Sequence, residues 1–403
     1  MRRCRVLAIS LIAGLILAGC GNRTEMNELG ITTATGFDGH KGNWTVTYQV
    51  ITPSAIGSGG ASGGGGSQAA IHTFSTQGKT IREAVAASSL ENPRRLYFAH
   101  TNTVFIGKQA AEDGIAEIID NYYRNPDARQ TVKVFIADGE ARTYLKKLIP
   151  PEKFPGQALA KILQKNKQMS SVYPSVSIHE LALKISSDSG AAGVPEISIK
   201  GGGDSEKLES MDIFNQTTPA SKLSLSRLSI FSKDKKVASL NQKESKALSW
   251  LTNQVDTTTL SNEGEHADLS AYLIRKAKVK VTPVKGPQRY TLKVNAKVIG
   301  ELVETTTDEA ISTPQGMNRL QQQAEEVIEA QIREGWEDVQ KLKIDLLGIA
   351  NKIHRKYPQD WRQLKGKWPD EMANMDIDIN VKVNIRRPGL FQNSFSKLLE
   401  TEQ

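Results

Sequence analysis

The sequence predicts a multi-domain α+β protein, each domain a mixed or antiparallel β-sheet flanked by α-helices, with one long helix in the C-terminal domain. Residues 290–300 and 377–385 alternate apolar and polar side chains, the pattern of strands with one dry and one wet face. Between them an apolar stripe of Leu320, Ala324, Val327, Ile328, Ile332, Trp336, Val339, Leu342, Leu346, Ile349 and Ile353 recurs at threes and fours, predicting a helix over about 315–356. Upstream, helix and strand patterns alternate over 80–137, as expected of helices layered on a sheet. A chain of 403 residues is long enough for more than one core.

The first element is an address. Arg2, Arg3 and Arg5 precede an apolar run from Val6 to Ala18, the layout of a secretory signal. The run falls short of the roughly 20 residues that span a bilayer. It closes in Leu17-Ala18-Gly19-Cys20, a bacterial lipobox: small residues suit the signal peptidase, and a thiol carries the diacylglycerol. Cleavage between Gly19 and Cys20 makes Cys20 the mature N-terminus, S-linked to diacylglycerol and N-acylated, and so holds the protein on membrane lipid. Removing residues 1–19, with three arginines and no acid, takes the length from 403 to 384 and the formal charge from +8 to +5. Cys4 leaves with the signal and the lipid consumes Cys20, so the exported part has no thiol for catalysis, redox work or metal binding.

In the mature chain, Trp44, Val46, Tyr48 and Val50 alternate along a strand over 44–51. The Gly/Ser/Ala stretch 57–67 lacks the Gly-Lys-Ser/Thr ending of a phosphate loop and reads as a surface loop between strands. Thr80 and Glu83 form a capping box for a helix over 80–90. Strands at 103–107 and 131–137 bracket a helix through Ala111, Ile115, Ile118, Ile119 and Tyr122. Short helices are expected at 139–148, 156–167 and, behind Ser177 and Glu180, 177–186. Composition then turns to Ser, Gly, Asp and Lys, which divides the chain into an N-terminal domain at 20–195, with room for two sheet-bearing subdomains, a linker or exposed hairpin at 196–215, and a C-terminal domain at 216–403. Strands are expected at 223–231, 277–284, 290–300 and 377–385, and Gly335 and Gly348 are the expected weak points or ends of the long helix.

Catalytic chemistry has little to stand on. His40, His72, His100, His179, His266 and His354 show no metal-ligand spacing, and His179-Glu180 does not begin an HExxH because position 183 is Leu. No serine sits in a Gly-x-Ser-x-Gly elbow. Asp376 and Asp378 share a face of the last strand, where paired acids are ordinarily solvated. The basic runs 233–236 and 275–278 read as solvated faces, with headgroup contact a weaker alternative. Aromatic residues, 6% of the chain, do not interleave with them, which argues against a nucleic-acid partner. A binding or scaffolding component without cofactor or metal is the expectation, rather than an enzyme.

Several stretches together resemble the Ger(x)C-type spore germination lipoproteins, the C subunits of nutrient germinant receptors. They are Cys20, Asn22, Arg23, Glu25, Met26, Asn27, Glu28 and Leu29 with Ala34, Gly36 and Asp38; then Arg94, Arg95 and His100 leading to Val104 and Gly107, with Arg124, Asn125 and Arg129; and finally Asp345, Gly348, Tyr357, Pro358, Trp361, Trp368, Arg386, Arg387 and Gly389. Gly21 and Asn22 depart from the family's usual Trp and Asp. The resemblance implies a non-enzymatic subunit on the outer face of the spore inner membrane, working with an integral-membrane A subunit and a permease-like B subunit in nutrient-triggered germination. The alternative is a solute-binding lipoprotein of an uptake system, which needs two lobes with mainly parallel sheets; the one-face-wet strands after residue 275 argue against it.

Overall fold

The computed structural model describes residues 28–52, 69–263, 269–306 and 313–387. Its larger sheet is built from β1 (Leu29–His40), β2 (Asn43–Ile51), β3 (Ile71–Gly78), β4 (Arg95–Tyr97), β5 (Thr103–Ile106), β6 (Lys133–Ala137), β7 (Ala191–Gly201), β8 (Ser221–Ser232) and β9 (Lys235–Leu240). The strands lie in the order β3-β2-β1-β5-β6-β7-β8-β9, with β4 beside the start of β1. β1, β5, β6 and β7 run parallel, and both wings are antiparallel.

A parallel centre needs both faces covered. One face packs against α1 (Ile81–Ala87), α2 (Lys108–Asp113) and α3 (Ala116–Arg124), through Ile81, Ala84, Ala110, Ile118 and Tyr122. The other receives α4 (Ala141–Leu145) and α5 (Pro155–Met169), through Leu145, Leu159 and Leu163. α6 (Ile178–Ile185) returns to the first face, opened by the expected capping box of Ser177 and Glu180. The single helix expected through Ala111 and Tyr122 is two, because Gly114 takes φ 136°, a conformation outside the helix, between α2 and α3.

After α7 (Gln242–Leu251) the chain builds a second sheet from β10 (Thr258–Glu263), β11 (Leu269–Lys285), β12 (Tyr290–Thr305) and β13 (Asp376–Arg387), paired in that order. β10, β11 and β12 are antiparallel and β13 is parallel to β12, so both sheets are mixed. A parallel pair demands a crossover. It is supplied by α8 (Pro314–Leu342), α9 (Ile349–Lys356), α10 (Pro358–Leu364) and α11 (Trp368–Ala373).

α8 is the expected long helix, capped by the Thr313 side chain on Gly316 N–H. Leu320, Ala324, Ile328, Ile332, Trp336 and Val339 are buried toward the sheet. Each large apolar side chain among them contributes about 1.5–3 kcal/mol by leaving water. The stripe continues past residue 342, but the helix does not: Lys343 adopts a left-handed conformation, and Gly348, also left-handed, opens α9. Gly348 is thus an end, as expected. Gly335 is not a weak point: it lies inside α8, where an added Cβ would come 2.8 Å from the Ala247 backbone of α7. Glycine there lets two helices approach closely.

One hydrophobic cluster runs from Phe105, Phe135 and Ile230 of the first sheet through Trp250 of α7 and Ile328 of α8 to Leu292 and Ile385 of the second sheet. Residues 196–215 hold the second half of β7 and two 3-10 turns, Ser205–Glu209 and Met211–Asn215, and β8 and β9 continue the first sheet beyond them. The glycine-rich loop at 57–67 lies outside the described residues.

Candidate functional site

Cys20, Gly19 and Cys4 lie outside the described residues. β1 begins at Leu29 and pairs with β4 in the register Leu29↔Arg95, Gly30↔Leu96 and Ile31↔Tyr97. Beside this start, the fold gathers residues far apart in sequence into two adjoining clefts. A cleft of about 520 Å³ is lined by Arg82 of α1, Arg94 and Arg95 at β4, and Asn125 and Asp127 after α3. A second, of about 630 Å³, shares Arg82 and Asn125 and adds Lys41, Lys79 and Arg124.

Local chemistry fixes these side chains unequally. Arg124 donates from Nε to both carboxylate oxygens of Asp120, one helical turn back, at 2.9 and 2.8 Å. That bond, with the Asp120 charge, pushes its guanidinium further up. Arg95 pairs with Asp127 at 3.2 Å. Asn92 and Asn125 each accept a backbone N–H two residues on, turning the chain at the cleft walls. Arg82 and Arg94 meet no carboxylate among the described residues.

A second constellation joins the two sheets. The loop between α6 and β7 meets the joint between α8 and α9. Asp345, 3% exposed, accepts from the Ile349 and Ala350 N–H groups at 2.9 and 2.7 Å, capping α9, and from Ser189 Oγ at 2.8 Å. Asn351 donates to Ser187 Oγ and accepts from Ser189 N–H, each at 3.2 Å, and His354 Nδ1 lies 2.7 Å from Asp188. His354 also stacks on Trp361, which meets Trp368 edge to face at 5.4 Å. Tyr357 lies against Tyr290, whose hydroxyl donates to Asp360 at 2.6 Å.

Two family models match consecutive stretches of the chain, one described as the spore germination protein N-terminal domain over residues 22–199 and one as spore germination B3/GerAC like, C-terminal, over 226–389. The chain belongs to the Ger(x)C family of spore germination proteins. Among similar Ger(x)C relatives, spore germination protein KC of Bacillus subtilis (strain 168) is 28% identical and covers 98% of both chains. Putative spore germination protein YfkR of the same organism is 26% identical over 96% of this chain and 97% of its own. The crystal structure of the GerBC protein shares the fold at TM-score 0.54 and 17% identity, over 88% of this chain and 98% of that one. The two family models end and resume at 199 and 226, within the paired β7 and β8 of one sheet.

Of the Ger(x)C residues singled out in sequence, the fold brings Arg94, Arg95, Arg124 and Asn125 to the clefts, and Asp345, Gly348, Tyr357, Trp361 and Trp368 to the joint beneath the second sheet. Arg129 is exposed and lines neither cleft, and Gly389 lies outside the described residues. Asp376 and Asp378 are exposed, and Asp378 faces Lys293 at 3.6 Å. The histidines stay scattered: His40 on the Lys41 carbonyl, His72 stacked on Phe74, His100 on Tyr97, His179 on the Tyr123 hydroxyl, with His266 outside the described residues. Among the described residues no three His, Cys, Asp or Glu side chains converge to hold a metal, and no helix is long and apolar enough to cross a membrane.

One basic run departs from expectation. Lys236, at 233–236, is not solvated: it is buried with Glu196, 2.8 Å away, and Ser229 and Ser239 also donate to that carboxylate. Burial alone pushes the Glu196 carboxyl up, but these hydrogen bonds and the Lys236 charge outweigh it and hold the carboxyl low. Lys147 is likewise buried, on Glu209 and the Ser205 carbonyl. No charge pattern in the sequence marks either site, because each pair is assembled across strands or turns.

Proposed function

We propose that the chain is the lipid-anchored C subunit of a nutrient germinant receptor, needed for spore germination through assembly and signal coupling with integral-membrane A and B subunits rather than through catalysis. The observation that carries this reading is the in-order family match across both halves of a chain that opens with the lipobox Leu17-Ala18-Gly19-Cys20. Cys20 carries the acyl chains, and each buried methylene contributes about 0.8 kcal/mol, so a doubly or triply acylated protein does not leave its membrane. The subunit then sits on the outer face of the spore inner membrane. Two mixed sheets sharing one core favour a rigid adaptor over two lobes closing on a solute.

Cys20→Ala is the test. Germination is expected to slow or fail in at least one nutrient while vegetative growth is unchanged, and the protein should move from the membrane pellet to the soluble fraction. Normal germination in every nutrient tried, with the protein present and no longer membrane-bound, would overturn the reading.

A further inference from the structure

The tether leaves open which face of the folded part meets the bilayer, and the geometry around Leu29 answers it. Cys20 and Leu29 are nine residues apart, so the start of β1 lies within about 30 Å of the lipid. Leu29 pairs with Arg95, and Asn92 lies against Gly30, so the segment 88–97 flanks the start of β1. At the tip of that segment Leu90 is 87% exposed. An apolar side chain so open beside a cleft lined by Arg82, Arg94 and Arg95, with Asp127 its one lining carboxylate, is the composition of a surface that seats in headgroups. Glu28 and Glu91 flank it.

We propose that this edge, Leu90 with Arg82, Arg94 and Arg95, docks on an anionic lipid surface, Leu90 entering the acyl boundary and the guanidinium groups meeting lipid phosphates. The orientation rests on the Cys20 anchor reading; the affinity of the edge for anionic lipid does not. A short tether raises the local lipid concentration so far that weak contacts suffice to hold one orientation. Cations screened over about 8 Å at physiological salt act only if they lie at the headgroups; the register of Leu29 with Arg95 sets Arg95 beside the start of β1, and Arg82 and Arg94 line the same cleft.

Two measurements test it. In the first, the chain from residue 20 carrying Cys20→Ala, which retains every described residue, is sedimented with vesicles of 30% phosphatidylglycerol in phosphatidylcholine, and with pure phosphatidylcholine. Binding is expected to the anionic vesicles alone and to weaken with salt. Arg94→Ala/Arg95→Ala should lower it about 25-fold, about fivefold for each cation. Lys276→Ala/Lys278→Ala, removing two exposed cations of β11, should leave it within twofold. Equal loss in both double variants, or no preference for anionic vesicles, overturns the proposal, as does binding seen only when membranes also contain protein partners.

In the second, the lipidated chain has no free thiol, so Leu90→Cys gives a single site for an environment-sensitive dye. On anionic vesicles its emission should shift to the blue, while a dye at Val303→Cys, on an exposed position of β12, stays in water. A tethered protein whose residue 90 remains aqueous overturns the docking and spares the anchor. A chain without the mass of lipid on Cys20 overturns the anchor, and the first measurement still decides the docking.

Discussion

Lys236→Met is expected to destabilise the protein by about 3–5 kcal/mol at pH 7, because it removes one partner of a buried ion pair and strands the other. Glu196 and Lys236 side chains are 6% and 9% exposed, and the pair joins β7 to β9 across β8. Without Lys236, burial, the largest single cause acting on the Glu196 carboxyl, is opposed only by the Ser229 and Ser239 hydroxyls, and the carboxyl is expected to rise above its ordinary value. The pH dependence therefore changes sign. In the natural protein the Glu196 carboxyl is held low, so its contribution is complete above the unfolded value near 4.3 and is lost as pH falls through the lower folded value. In the variant the raised carboxyl takes up a proton on folding, so stability rises as pH falls from 7 toward 5. Asp138, raised by burial and then by the Glu196 charge and partly offset by Lys236, works in that second sense and is itself altered by the substitution, so the readout is the difference between the two urea-unfolding curves measured with Asp138→Asn in both proteins. A deficit that does not shrink on acidification would show that Glu196 is not the stranded group. Glu196→Leu combined with Lys236→Met should recover only part of the loss, since an apolar pair of similar volume leaves no stranded charge but takes the acceptor from the Ser229 and Ser239 hydroxyls.

The same pair shows what the sequence could carry. β12 and β13 were legible because one face of each is wet, and their alternation is the alternation of burial. β1 was not, although its middle is almost continuously buried. Its apolar content is low: Thr32, Thr33 and Thr35 are buried with their hydroxyls satisfied by Thr101, Gln49 and Tyr122, so a strand covered on both faces reads like a polar loop. The second half of β7 falls within 196–215, where a composition of Ser, Gly, Asp and Lys reads as linker or exposed hairpin, and what keeps the strand there is pairing with β8 and the contact of Glu196 with Lys236. The break in the long helix was hidden because α9 continues the apolar stripe of α8 into one core. The clefts were legible only as residue types: Arg94 and Arg124 are thirty positions apart, and a parallel sheet with two faces of helices is what brings them near.

Asp345→Ala is expected to cost about 3 kcal/mol and lower the unfolding midpoint by roughly 4 °C, the larger part from three donors left without an acceptor. The Ile349 and Ala350 N–H groups are the free end of α9, and Gly348 ahead of them has no side chain to cap it. A carboxylate placed three residues before that glycine serves instead, and the partial positive charge of the helix start favours it over a neutral group. Asp345→Asn keeps one acceptor oxygen and so should lose about half as much. Because Asp345 also accepts from Ser189, in the loop leading to β7, the variant is expected to loosen the contact between the sheets as well as the helix. Hydrogen exchange separates the two effects. In Asp345→Ala, exchange should rise at the first turn of α9 and in residues 187–190 together, whereas Ser189→Ala should raise it only in the loop and cost about 1 kcal/mol. Exchange confined to α9 in both variants would mean that the carboxylate caps a helix and does not join the sheets. If it does join them, the receptor chain's two halves respond to strain as one body, since the loop it holds leads directly into the strand that carries Glu196.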